Sequence, residues 1–216
     1  MTVYSVEFDP SRESDLNWEK LTDEVMTPKA VLKRRQEFVA GRYCAFEAIG
    51  GDQEFNIKQI EMNEDRSPRW PDPWVGSITH CHGFASAAVA RKSQYQSLGI
   101  DTEVIMTDDG AKRVEKQILL EAESVLWREH FQQNFRFNEF VTLIFSAKEA
   151  LYKCLNPLVG KYFGFHEAQV LEVDLNSEKI KFELLTDLSI DFRRAQLLTG
   201  HFSIDPSRIH TGFTIN

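Results

Sequence analysis

The sequence predicts a mixed α/β chain that runs through helix and strands twice. Three observations carry this. A long helix signal occupies residues 28–49, three short strand-like runs follow between residues 76 and 104, and the second half supplies two further helical stretches and four more strand runs. No internal sequence repeat accompanies the succession, and no flexible Gly/Ser linker interrupts it. We read residues 1–105 as an N-terminal α/β half and residues 106–216 as a C-terminal α/β half, sharing one core.

The first helix is marked by a capping Thr27, by Pro28 at the first helical position and by Gly50 and Gly51 just past the end. It crowds Lys29, Lys33, Arg34, Arg35 and Arg42 against a single acid, Glu37, so residues 28–42 carry +4. Residues 64–76, EDRSPRWPDPWVG, hold three of the seven prolines and two of the four tryptophans, which predicts a rigid loop. The runs GSITHC, GFASAAVAR and LGIDTEV then read as strands, the middle one small and apolar as a buried strand is. Residues 111–131 place Val114, Ile118, Ala122, Val125 and Leu126 on one side of an amphipathic helix with an acidic outer face. A further helix is expected from Ser146 to about Leu155, before Asn156 and Pro157. The runs AQVLEVDL, KIKFELL, GHFSID and RIHTGFTI are strands to the end.

With 42% apolar and 27% charged residues over 216 positions, the chain has an ordinary globular balance, which excludes collagen-like, disordered and mini-protein classes. Lys and Arg number 25 against 33 for Asp and Glu, a net −8. An acidic chain does not coat nucleic acid through its whole surface, so any polyanion site must be local. The longest uncharged, weakly polar run is about that of residues 83–90. A membrane-spanning helix needs about 20 such residues. The start MTVYSVEFDPSRESD has no basic and then apolar pattern, and Cys44, Cys81 and Cys154 form no CxxC pair. Both features predict a cytoplasmic protein with reduced thiols.

Four constellations could carry chemistry. Asp101 and Glu103 stand two apart on a predicted strand and so share a face, where with a third carboxylate and a substrate phosphate they would suit a hard cation such as Mg2+. Two solvated acids at a strand end read the same way. Glu149 and Lys153 lie one helical turn apart; Ser146 and Glu149 equally form an S-x-x-E capping box, and Glu149 with Lys153 an ordinary ion pair. His80, Cys81 and His82 invite a zinc reading, yet neighbouring strand residues face opposite ways and no other Cys/His cluster completes a ligand set. One imidazole facing a polar site, with Cys81 in the core, accounts for them better. The basic helix is either a solvated face or an anion site. There is no P-loop, no Gly-rich nucleotide fingerprint and no G-x-S-x-G elbow.

In series, RRQEFVAGR at 34–42, RSPRWP at 66–71, GSITHC at 76–81, GIDTE at 99–103 and FSAKEALYK at 145–153 resemble the signature blocks of the 4'-phosphopantetheinyl transferases of the Sfp/EntD type, nearest their enterobactin-synthetase branch. The resemblance implies a pseudo-dimer of two similar α/β halves in one chain, with the active site between the halves. It implies Mg2+-dependent transfer of the phosphopantetheine arm of coenzyme A to a serine of an apo peptidyl, aryl or acyl carrier protein, releasing adenosine 3',5'-bisphosphate. The pathway implied is nonribosomal peptide synthesis of a siderophore. By position, Asp101, Glu103 and Glu149 match the metal ligands. Glu149 is also the candidate that activates the serine, and Lys153 matches the lysine at the pyrophosphate and pantetheine side. Thr79 and His80 match the pair that holds the coenzyme A phosphates; Arg66, Arg34, Arg42 and Lys148 are further phosphate contacts. Thr79 stands where the family more often has serine and Thr102 where an apolar residue is common, and little effect is expected from either. Two halves in one chain suit a monomer, with no nucleic acid among its partners. A metal-dependent phosphohydrolase and a non-catalytic coenzyme A or carrier-binding module are the competing readings.

Overall fold

The computed structural model describes residues 1–12, 32–50, 60–64, 66–133 and 135–216. Its contacts divide the chain into two compact units, Met1–Ile100 with Ile215–Asn216, and Asp101–Thr214. The fold is mixed α/β, and among the described residues no helix is long and apolar enough to cross a membrane.

Among the described residues, the first unit sets one helix, α1 (Leu32–Ile49), on a sheet of order β1-β5-β4, where β1 is Thr2–Glu7, β4 Trp74–Cys81 and β5 Phe84–Arg91. Thr27 and Pro28, expected to start the helix, lie outside the described residues. At its other end Gly50 takes a φ of 123°, open to glycine, and the helix stops as expected. α1 presents Ala40, Cys44 and Ala45 to Ala85 and Ala87 of β5, so small residues on both sides let helix and sheet approach closely. Gly41 is part of this fit: a Cβ there would stand 2.6 Å from Ile78 Cγ2. β5 is buried from Phe84 to Ala90, as its composition predicts. It pairs antiparallel with β4 on one side and β1 on the other. β1 has no counterpart among the expected elements; its alternation V-Y-S-V is short and mostly exposed. The segment expected as a loop, 64–76, instead holds β3 (Pro68–Arg69) and the first residues of β4; β3 forms a two-residue ladder with β2 (Glu61–Met62), just before that segment.

In the second unit the strand order is β6-β10-β9-β8-β7, with β6 Ser97–Val104, β7 Ala168–Asp174, β8 Lys179–Leu184, β9 Leu197–Ile204 and β10 Arg208–Ile215. Phe213 of β10 covers Gly200 of β9 so closely that a Cβ there would meet its ring at 2.4 Å. The helix expected at 111–131 is instead broken. α2 is Asp108–Ile118, capped by the Thr107 hydroxyl accepting from Gly110 N, and α3 is Glu121–Leu126, followed by a π turn at Trp127–Phe131. Leu119 and Leu120 leave helical geometry between them, and the freed Leu120 N–H donates to the Glu123 carboxylate at 2.8 Å. A local cap thus outweighs continuous helix periodicity, and Ala122, expected on the apolar side, is exposed.

The second correction concerns α4, which spans Phe137–Val159 rather than 146–155. Pro157 stands in its last turn, close to where the helix ends, and Gly160 closes the helix in the left-handed region. Ser146 is therefore no cap. It lies buried in the helix interior with its hydroxyl 2.9 Å from Thr211 Oγ1 on β10. Two further side chains of α4 grip the end of β6: Asn138 Nδ2 donates to Met106 O at 2.7 Å, and Met106 N donates to Thr142 Oγ1 at 3.0 Å.

Candidate functional site

In the second unit, β6 and α4 bring the sequence candidates Asp101, Glu103, Glu149 and Lys153 together. Asp101 is 4% exposed, and Lys153 Nζ donates to its Oδ1 at 2.7 Å. Lys153 thus turns to the strand carboxylate, not only to the helix neighbour one turn back. Burial pushes the Glu103 carboxyl up to about 7, the Asp101 and Glu149 charges push the same way, and Lys153 opposes them. Glu149 is raised too, by burial first and by Asp101, again against Lys153. Three carboxylates that feel one another and share one lysine are short of positive charge.

Such a set suits a hard cation in donor chemistry, since Mg2+ takes carboxylate oxygens, retains several waters and completes its shell with substrate phosphate. It does not form a closed cage. Among the described residues no group of three or more His, Cys, Asp or Glu side chains is gathered tightly enough to hold a metal ion. The Lys153 ammonium stands on one Asp101 oxygen, and a cation held by the three carboxylates would have to take its place.

Lys148, a phosphate candidate from the sequence, has another task. Its ammonium is buried, donating to Glu123 Oε2 and to Ile118 O, both at 2.8 Å. Burial pulls its pKa down, against the pull of the Glu123 carboxylate. Glu123 is fully buried and also accepts from Leu120 N and from Val170 N. The pair joins the α2–α3 break, α4 and β7. Sequence reasoning missed Glu123 because its partners lie 25 and 47 residues away.

In the first unit, β4 alternates as a strand must: Thr79 and Cys81 point inward, His80 between them is exposed. This bears out Cys81 as a core residue. His80 Nδ1 stands 3.9 Å from Glu37 Oε2, and Lys33 Nζ 3.7 Å from Glu37 Oε1. Glu37 thus stands between Lys33 and His80; the i, i+4 spacing of Lys33 and Glu37 was the available signal. Arg42 is buried, with its guanidinium 4.7 Å from the centre of the Phe38 ring and Nη2 3.5 Å from Glu61 O. Arg34 is exposed, as is Arg66, whose φ is 69°.

Two family models and several known proteins match the chain. Residues 22–90 match the 4'-phosphopantetheinyl transferase N-terminal domain, and residues 97–205 the 4'-phosphopantetheinyl transferase superfamily. Enterobactin synthase component D of Salmonella typhimurium is 33% identical over 96% of this chain and 83% of its own. The Escherichia coli protein of the same name is 36% identical over 79% of this chain and 77% of its own. The 4'-phosphopantetheinyl transferase Npt of Nocardia iowensis is 36% identical over 68% of this chain and 64% of its own, so this chain spans a little under two thirds of that relative. The chain belongs to the 4'-phosphopantetheinyl transferase superfamily and is a transferase by that membership.

Proposed function

We propose that this protein transfers the 4'-phosphopantetheine arm of coenzyme A to a serine of an apo carrier protein, with Mg2+ held by Asp101, Glu103 and Glu149. The observation that carries the reading is the cluster itself: three carboxylates, two with raised proton affinity, around one lysine in the unit that matches the superfamily. Bound there, the cation would supply charge neutralisation at the pyrophosphate oxygens. Phosphoryl-type transfer asks the protein chiefly for positioning and for charge compensation. Glu149, raised by burial, is suited to take the serine proton, directly or through a water. The serine oxygen then forms a bond to the phosphorus bearing pantetheine, and the bond from that phosphorus to the bridging oxygen breaks. Adenosine 3',5'-bisphosphate leaves with the electron pair. Lys153 serves the pyrophosphate, exchanging part of its hold on Asp101 for the incoming phosphates.

The remaining phosphate contacts are assigned to Arg34, Arg42, Arg66, Thr79 and His80, with arginine giving bidentate geometry. Lys148 is left out, because its ammonium is sealed against Glu123. Relatives named enterobactin synthase component D make peptidyl or aryl carriers of siderophore synthesis the first candidates, in a cytoplasmic monomer. The test incubates the protein with coenzyme A, Mg2+ and a panel of apo peptidyl, aryl and acyl carriers, read by intact mass. One phosphopantetheine gained on a carrier, and lost when Mg2+ is chelated, supports the proposal. Coenzyme A cleaved with no carrier modified would overturn it in favour of a phosphohydrolase.

A further inference from the structure

Thr102 sits between Asp101 and Glu103 on β6, and strand alternation turns it to the opposite face of the sheet. It is 2% exposed, so its hydroxyl has to find a partner within the protein. Thr102 Oγ1 lies 3.0 Å from His210 Nδ1 on β10, the strand beside β6. The other imidazole nitrogen, Nε2, lies 3.3 Å from Asp205 Oδ2.

Asp205 is itself fixed. Its Oδ1 accepts from Ser207 N and Arg208 N, both at 2.7 Å, and from the Ser207 hydroxyl at 3.0 Å. Although burial works against the charge, these bonds hold the carboxyl down to about 2, so the group is ionised and can only accept. His210 Nε2 therefore carries the proton, and in the neutral ring Nδ1 is the acceptor. In that form the Thr102 hydroxyl donates to it. The same turn meets the far end of β6, where Ile105 N donates to Ser207 O at 3.0 Å.

We infer that His210 is a positioning residue for the transfer site: anchored by Asp205, it holds Thr102 and so fixes the part of β6 from which Asp101 and Glu103 project. An apolar side chain at 102 would satisfy the burial but not this line of hydrogen bonds. The inference rests on the reading of Asp101 and Glu103 as cation ligands, and it assigns Thr102 a part where the sequence predicted little effect.

The test uses the full chain and Thr102→Val, His210→Phe, the double variant and Thr102→Ser. Mn2+ affinity is read by electron paramagnetic resonance, and amide hydrogen exchange is followed along β6, with a thermal melt of each variant. Loss of an outer partner of a ligand costs about tenfold or more in metal affinity. Thr102→Val and His210→Phe should each weaken Mn2+ binding by about that factor and speed exchange in β6, and the double variant should be no worse than either. Thr102→Ser, which keeps the hydroxyl, should bind like the wild type and secures the comparison if Thr102→Val folds poorly. Unchanged Mn2+ affinity in folded His210→Phe, or effects that add in the double variant, would overturn the inference. Should the wild type bind no Mn2+, the cation reading fails by itself. Exchange in β6 then decides the positioning role separately: faster in both single variants supports it, unchanged refutes it.

Discussion

Lys148 and Glu149 are neighbours in sequence on one helix, yet the protein puts them to opposite uses. Lys148 is sealed with Glu123, side chains 2% and 0% exposed, every charge met by a hydrogen bond. Glu149 is half-buried beside Asp101, Glu103 and Lys153, where like charges stay close together and the proton affinities rise. A satisfied buried pair fixes structure; a charge-deficient cluster invites a ligand. The contrast shows why an adjacent lysine and glutamate should not be assigned to one site on spacing alone.

The largest expected effect breaks the cluster. Asp101→Ala removes an oxygen donor and the partner of Lys153, and turnover in the carrier assay should fall by about a thousandfold or more. The melting temperature should stay within a few degrees, which calorimetry checks. Wild-type turnover in that variant would remove Asp101 from the site.

Breaking the sealed pair should act on stability instead. Lys148→Met leaves a buried carboxylate uncompensated and should cost about 3–5 kcal/mol in urea unfolding. Adding Glu123→Leu should recover only part, because the N–H groups of Leu120 and Val170 lose their acceptor at about 1–3 kcal/mol each. Equal stability of Lys148→Met and wild type would erase the distinction between the two regions.

The cluster also sets a pH dependence. A carboxyl raised in the folded chain favours folding below its ordinary value of 4.5, and that contribution is lost as pH rises through about 7. Without metal, the protein should therefore melt roughly 5 °C lower at pH 8 than at pH 6. Glu103→Gln should flatten this slope, and Mg2+ should offset it at the higher pH. A slope unchanged by Glu103→Gln would place its origin elsewhere.

Smaller effects belong to the basic helix. Arg34→Ala should raise KM for coenzyme A a few-fold, and less for 3'-dephospho-coenzyme A if Arg34 meets the 3'-phosphate. Stability should change by less than about 0.5 kcal/mol, because Arg34 is exposed. Arg42→Ala should show the KM effect and also lose about 1 kcal/mol from its contact with Phe38. Steady-state kinetics with both substrates, beside urea unfolding, separates the two arginines.

Much of this contrast was not legible in the sequence, for physical reasons. The strands from Trp74 to Val104 and from Ala168 to Ile215 announce themselves by alternation and turn residues, and Asp101 with Glu103 by the same periodicity. The start of α4 was hidden because FNEFVTLIF is rich in aromatic and β-branched residues, and its helical state comes from packing rather than propensity. The S-x-x-E spacing of Ser146 and Glu149 then imitated a cap that the longer helix makes unnecessary. The break at Leu119 and Leu120 depends on Glu123, whose capping contact follows no Ser or Thr signature. Lys153 finds Asp101 across 52 residues of chain, a pairing that no local spacing reveals. Two of the family blocks, GIDTE and FSAKEALYK, contain Asp101, Glu103, Glu149 and Lys153 themselves, so this cluster was easier to read than the scaffold around it.

The most direct test of the central claim compares wild type and Glu149→Gln at equal folded concentration, with coenzyme A, Mg2+ and an apo peptidyl carrier, by the intact mass of the carrier. The account predicts one phosphopantetheine arm added by the wild type and almost none by Glu149→Gln, with matching melting temperatures. Transfer by Glu149→Gln at the wild-type rate would contradict it.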